Sequence, residues 1–222
     1  MKMSVETTMC KGDKMKTITK ILKIKGDWEE VVNDCRFTVN KSDLGKEPSD
    51  RFKKHILIAE HSPIRDITFK WEWLHIPHWV TVHWVRHKWE KFVATQRSDR
   101  TGVDRHTLPQ DVEQNMRGEA NTQSLIDTMR KRLCLQASTE TRICAESLKK
   151  EIKKVGEKYV SDVLVPNCVY RGGCPEYEMD NTNRCKFYEN LMKDFKSDST
   201  NIQERYDHYN NKFYERCDNE TV

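Results

Sequence analysis

Residues 83–102, HWVRHKWEKFVATQRSDRTG, concentrate the groups of this chain that are best suited to binding an anion or a metal. His83 and His87 stand one helical turn apart beside two tryptophans, and cations accompany them, among them Arg86, Lys88, Arg97 and Arg100. Arginine forks bind phosphates, histidines bind metals, and aromatic rings stack on bases. The segment therefore indicates a flat phosphorylated ligand, a metal or an RNA strand.

Metal binding is not favoured by the spacing of the candidate ligands. A helical zinc pair of the metalloprotease type requires a glutamate directly after the first histidine, and Trp84 follows His83. A cysteine group, Cys168, Cys174 and Cys185, lacks the tight Cys-x-x-Cys pairs of structural zinc sites. Zinc is a minority interpretation there, and a compact tail with buried thiols is favoured. The sequence thus predicts no metal.

Composition limits the class of protein. The 222 residues include 39 basic and 35 acidic side chains, and a net charge of +4 is too small for a general nucleic-acid coat. No apolar run approaches the ~20 residues of a membrane span, and residues 1–16 lack the apolar core of a signal peptide. We expect one domain over 1–222 with a flexible segment 1–16, located in the cytoplasm without membrane partners.

Common catalytic signatures are missing. The chain has no Gly-x-Ser-x-Gly elbow, no phosphate-binding loop with Lys-Ser/Thr, and no Rossmann fingerprint. A dinucleotide would therefore have to be held by side chains. The eight cysteines, without a secretory signal, are expected to be reduced: they are Cys10, Cys35, Cys134, Cys144, Cys168, Cys174, Cys185 and Cys217.

Periodicity predicts an α+β fold, a short twisted sheet with helices packed on it. Apolar residues alternate with polar ones from Ile67 to Trp73, which indicates a strand over 66–75. A first strand is expected over 17–26 and a long functional loop over 90–118. Helices are expected over 27–37 (with Asp27 as its N-cap), 51–62, 77–89, 119–136 and 138–160, and a Cys-containing helical C-terminal extension over 166–222, which ends in a helix over 201–217.

One arginine stands out on an apolar helical stripe. Arg132 shares a side of its predicted helix with Leu125 and Met129. A buried charge needs a partner, and Glu140, on the same stripe as Cys144 of the next helix, is the candidate. Arg132 is thus either half of a structural ion pair or a ligand-binding residue.

Six short motifs stand in a fixed order along the middle of the chain. They are HSPIRDITFKWEW, HWVRHK, TQR, RHTLP, ANTQSLIDTMRKRL and ASTETR. Over about residues 60–150 this order resembles the flavin-dependent thymidylate synthases, which carry His-x-Ser/Thr-Pro, Gln-x-x-Arg-His-Arg, Ser-x-Arg-Tyr, Arg-x-x-Leu-Pro, Asn-x-Arg and Ala-x-x-Glu-x-Arg. Each motif alone is weak. The six together, with the family's spacing from Arg105 through Arg142, are much more specific.

The resemblance implies roles for individual residues. Ser62 would face the flavin of FAD, and the other cofactor-binding positions would be Arg86, His87, Lys88, Asn121, Gln123 and Asp127. The substrate-binding positions would be His83, Arg86, Thr95, Arg97, Arg105 and Arg132. Of these, Thr95 would lie next to the uracil, and Arg132 would touch the pyrimidine edge and favour ionisation of N3; these two are the expected catalytic residues.

The family's reaction transfers a one-carbon unit from methylenetetrahydrofolate to C5 of dUMP, with FAD supplying the hydride and NADPH as reductant. The resemblance also implies a homotetramer whose active sites are shared between subunits, and it requires no cysteine nucleophile. The implied partners are a pyrimidine deoxynucleoside monophosphate and folate, and nucleic acid is not expected.

Several positions depart from the family pattern. Lys88 and Gln123 replace arginines, Asp127 replaces Asn or His, and Ser98 replaces a tyrosine. These changes indicate a divergent branch of the kind that viruses carry, in a bacterial or phage-infected cell. Two alternatives stay open: an enzyme that methylates dCMP or hydroxymethylates dUMP or dCMP, and a non-catalytic paralogue that binds nucleotide or RNA.

Overall fold

A computed structural model describes residues 17–176 and 185–219. The segment 1–16, expected to be flexible, lies outside the described residues. None of the helices in the described ranges is both long and apolar enough to cross a membrane.

A four-stranded antiparallel sheet forms the centre of the fold, with the strand order β1-β2-β4-β3. Its strands are β1 (Ile18–Lys25), β2 (Thr68–Pro77), β3 (Glu90–Val93) and β4 (Glu113–Asn121). In β2, Phe69, Trp71 and Trp73 are buried while the intervening residues are partly exposed. This alternation confirms the predicted central strand, because successive side chains of a strand point to opposite faces.

Helices surround the sheet and continue to the end of the described chain. They are α1 (Trp28–Phe37), α2 (Asp50–Ala59), α3 (His78–Trp84), α4 (Ser98–Thr101), α5 (Thr122–Arg132), α6 (Thr139–Lys154), α7 (Lys158–Val163), α8 (Asn167–Arg171), α9 (Phe187–Met192) and α10 (Ile202–Asn219). As predicted, the Asp27 side chain caps α1 by accepting from the backbone N–H of Glu30. The helix predicted over 138–160 is instead two helices, separated near Gly156 with φ of 101°.

The loop predicted over 90–118 is wrong at both ends, because β3 and most of β4 occupy them, and only the part between these two strands is a loop with short helical turns. In β4, Gln114, Met116 and Ala120 are buried on one face, but only Met116 is a large apolar residue. A hydrophobicity pattern therefore could not show the strand. Helix α5 correspondingly begins at Thr122 and not at 119, since Asn121 caps it by accepting from Ser124 N–H.

Four tryptophans fill the space beneath the turn that follows α3. The ring centroids of Trp73 and Trp84 lie 4.6 Å apart, and those of Trp71 and Trp89 lie 5.0 Å apart. A Cβ added at Gly118 would stand 2.4 Å from the Trp71 ring and 2.6 Å from the Trp89 ring. Glycine at position 118 is therefore required by the close approach of these rings to β4.

Candidate functional site

A cation-lined cavity of about 550 Å³ opens where the turn 85–88, α5 and α8 meet. Its lining carries five cationic side chains: Arg86, Lys88, Arg130, Lys131 and Arg171. Asp127 is the one carboxylate among the residues that line it, and His87 and Asn167 add polar groups. A concave surface with this charge attracts and holds anions. The structure thus brings together four of the predicted cofactor residues, Arg86, His87, Lys88 and Asp127.

Arg132 and His87 form a hydrogen-bonded pair beside this cavity. The Nε of Arg132 donates to Nε2 of His87 over 2.7 Å, and its Nη2 donates to the backbone oxygen of His83, also over 2.7 Å. Because Nε2 of His87 accepts, the proton of the neutral imidazole stands on Nδ1. Arginine has five N–H bonds, so this arrangement orients the guanidinium and leaves further donors for a ligand.

Burial and nearby cations lower the pKa of both His83 and His87 and so favour their neutral forms. Burial, with Arg132 and Lys131, lowers the pKa of His87 from 6.5 to about 4. Burial, Arg132 and Arg86 also lower the pKa of His83, and Glu140 opposes this shift. A neutral His87 can accept from the guanidinium of Arg132, which a protonated imidazole could not do.

The predicted pairing of Arg132 with Glu140 is wrong, since Arg132 binds His87 and the His83 carbonyl. Glu140 lies in the first turn of α6 and acts electrostatically on His83. The Nδ1 of His83 bonds Thr141 Oγ1 over 2.8 Å. A neutral ring and a carbonyl accept from Arg132 without cancelling its charge, so that charge is available to a ligand.

Arg130 is a cavity residue that the sequence patterns did not reveal. Its guanidinium pairs with Glu60 and lies 3.5 Å from the centroid of the Tyr170 ring. Burial is the largest single influence and lowers the pKa of Arg130, but the hydrogen bond and the charge of Glu60, with Tyr206 and Tyr170, together raise the pKa overall. The resemblance had placed the cation at position 123; here Gln123 instead donates to Glu60 over 2.7 Å. An arginine seven residues further along the same helix supplies the cation.

The predicted substrate residues of the segment between β3 and β4 are separate from this cavity. Thr95, Arg97 and Arg105 are exposed and do not line it. Arg97 pairs with Asp99 over 2.7 Å, and the backbone N–H of Arg105 donates to Ser98 Oγ over 3.1 Å. This segment is therefore held by its own contacts, and it presents Arg105 to solvent.

The remaining predicted cofactor residues, Ser62, Asn121 and Gln123, do not line the cavity. Ser62 is exposed at the start of a 3-10 helix, Ser62–Arg65, which packs against α5. Asn121 and Gln123 are engaged within the chain, as the α5 cap and as the Glu60 donor. The roles in FAD binding assigned to these three residues stay predictions.

No family model matches the sequence, and no curated protein resembles it significantly. Its fold is similar to that of solved structures at low sequence identity. A UMP/dUMP methylase, PolB from Streptomyces cacaoi bound with 5-Br dUMP, matches with a TM-score of 0.55 and 12% identity, over 67% of this chain and 94% of that one. Thymidylate synthase X from Helicobacter pylori, with FAD and dUMP, matches with a TM-score of 0.52 and 13% identity, over 67% and 99%. The chain therefore has the fold of thymidylate synthase X, as the sequence motifs predicted.

Proposed function

We propose that this protein is an FAD-dependent enzyme that transfers a one-carbon unit from methylenetetrahydrofolate to C5 of dUMP, with NADPH as the reductant. The observation that carries the proposal is the Arg132–His87 pair beside a cavity lined by five cations. The fold and the order of the sequence motifs point to the same reaction.

The chemistry of the cavity suits FAD. Its volume of about 550 Å³ lies within the ~300–1,000 Å³ of ordinary ligand pockets, and its cations complement a diphosphate. Arg86 can bind phosphate through two N–H groups, whereas Lys88 supplies a point charge. When bound, FAD supplies the hydride. The cationic side chains of the cavity would hold the phosphates, and Ser62 would face the ring, as the resemblance implies.

Arg132 is suited to polarising the pyrimidine. Negative charge that develops at N3 and its neighbouring oxygen can be stabilised by a fixed guanidinium. Such stabilisation raises the electron density at C5, the carbon that must attack the one-carbon donor. His87 and the His83 carbonyl hold the guanidinium in place, so little reorganisation is needed when the substrate binds.

The separation of the substrate residues favours active sites shared between subunits. Thr95, Arg97 and Arg105 are exposed and stand apart from the cation-lined cavity in one chain. We propose that a homotetramer brings them to the cavity of a neighbouring subunit. Sharing would also explain how a chain without a dinucleotide fingerprint holds FAD.

A second candidate is a related pyrimidine-modifying enzyme that acts on dCMP or leaves a hydroxymethyl group. The observation that favours it is the replacement of the family's arginine by Gln123. This neutral side chain donates to Glu60 and brings no positive charge to the site. Arg130 occupies the cavity in its place, so the ligand meets a different donor geometry.

Two measurements test the proposal. The fluorescence of FAD should be quenched when FAD is titrated into the purified chain. The complex with reduced FAD should release tritium from C5 of labelled dUMP when methylenetetrahydrofolate is present. Release from dCMP alone would select the second candidate. Absence of both FAD binding and tritium release would leave only the non-catalytic nucleotide-binding paralogue.

A further inference from the structure

Four cysteines from separate parts of the chain line one cavity of about 320 Å³. Cys134 follows α5, Cys168 lies in α8, Cys174 follows α8, and Cys185 precedes α9. All four are thiols outside any disulfide. Cys134 is 34 residues away from Cys168 in sequence, so only the fold shows that it belongs with the other three.

The cavity offers a sulfur-rich ligand set. Among the described residues that line it, none is a histidine and Glu176 is the one carboxylate. Cys134 and Cys168 lie close enough to Cys174 and Cys185 to interact with them electrostatically. A bound dication favours deprotonated sulfur, which is the form that binds it.

We propose that this cavity is a structural zinc site whose four ligands are Cys134, Cys168, Cys174 and Cys185. Four thiolates are a ligand set that Zn²⁺ prefers, in tetrahedral geometry. Within the described residues, no three such side chains form a metal-holding group as they stand. Binding must therefore draw the sulfurs inward, and it releases the four thiol protons to solvent.

The surroundings of the cavity complement such a complex. Zinc with four thiolates has a net charge of about −2, and Arg130, Lys131 and Arg132 line the same cavity. Cys134 stands two residues after Arg132, and Cys168 belongs to α8, which also carries Tyr170. A zinc ion would thus tie the end of α5 to α8 and fix the helix turn that presents Arg132.

Metal analysis of the full-length chain purified under reducing conditions tests this proposal without nucleotide or FAD. We expect about one zinc per chain, and a cobalt-substituted protein with intense tetrahedral bands to the red of any flavin absorption. Serine at position 134, 168, 174 or 185 should weaken zinc binding at least ~100-fold, the upper range for loss of a supporting residue. Cys35→Ser is the matched control, since Cys35 is a half-buried thiol on α1 away from this cavity.

If a cysteine variant fails to fold, a second measurement on the unmodified chain still tests the proposal. Titration with an organomercurial should release zinc in step with the blocking of four thiols, and mass spectrometry of the tryptic peptides should place those thiols at the four positions. Substoichiometric zinc that survives all four substitutions would overturn the proposal. Iron with a visible charge-transfer band, or a disulfide between two of these cysteines, would overturn it too. None of these outcomes bears on whether the chain methylates dUMP.

Discussion

Replacing Arg132 with lysine tests whether Arg132 polarises the ligand or has only a structural role. Lysine keeps the positive charge but loses the planar fork that now contacts His87 Nε2 and the His83 carbonyl, each over 2.7 Å. A single ammonium on a flexible stem cannot make both contacts and also face a pyrimidine edge in a fixed geometry. We therefore expect Arg132→Lys to retain the proposed FAD binding and tetramer, yet to lose nucleotide affinity and turnover.

The size of the effect follows from the contacts. A hydrogen bond that involves a charged group contributes about 1.5–3 kcal/mol, and loss of one fixed donor at developing negative charge costs ~3 kcal/mol, or about a hundredfold in rate. Turnover should thus fall by about two orders of magnitude. Folding stability should fall much less, because the side chain is only half-buried.

Tritium release from C5 of labelled dUMP, with FAD reduced beforehand, measures the step in which Arg132 is proposed to act. Arg117→Lys is the matched control, since Arg117 is an exposed arginine on β4 whose Nη2 lies 3.1 Å from Glu72. Its turnover should equal that of the parent. Near-parental release by Arg132→Lys would show that Arg132 is a structural residue, and the pyrimidine-site assignment would then be abandoned.

Three further changes test other parts of the structure. Gly118→Ala should destabilise the fold by about 1–3 kcal/mol in denaturant unfolding, because its Cβ would meet two tryptophan rings, whereas Gly173→Ala, in open space, should be nearly neutral. Lys149 is buried, and desolvation lowers its pKa from 10.5 to about 7, so between pH 7 and 10 the unfolded chain binds a proton at this residue that the folded chain does not. The free energy of unfolding should therefore rise from pH 7 to pH 10, and Lys149→Met should abolish this rise in thermal unfolding. Cys144→Ser should keep tritium release even where stability falls, and loss of turnover with FAD still bound would indicate a covalent mechanism.

The sequence predicted those elements whose apolar residues follow a clear period. Strand β2 was visible because Phe69, Trp71 and Trp73 alternate with polar residues, and α1 because Asp27 supplies its cap. Strand β4 was missed because its buried face carries Gln114, Met116 and a glycine. The glycine is there to admit tryptophan rings from elsewhere in the fold, a requirement that local periodicity cannot express.

Motif order grouped residues that the structure brings together, but it could not show which of them pair across the fold. Motif order placed His87 and Arg132 in one site, but not their direct hydrogen bond, which joins residues 45 apart in sequence. Glu140 was assigned to Arg132 because both lie on apolar stripes. The turn between α5 and α6 instead leaves Glu140 acting on His83. The sequence also did not group Cys134 with the cysteines of the proposed zinc site, because its spacing from Cys168 matches no zinc motif.

The packing of the tryptophans explains why cations and aromatic rings are neighbours in residues 83–102. Trp84 lies against Trp73, with centroids 4.6 Å apart, and the Arg132 guanidinium lies 5.9 Å from the Trp84 ring. The His87 ring is 6.0 Å from the same tryptophan. Buried rings of this size allow little movement, so the side chains that rest on them keep their orientation. Stabilisation of a developing charge depends on donors that are oriented before the substrate binds. The apolar rings therefore contribute to the proposed chemistry by fixing Arg132 and His87, and need not touch the ligand themselves.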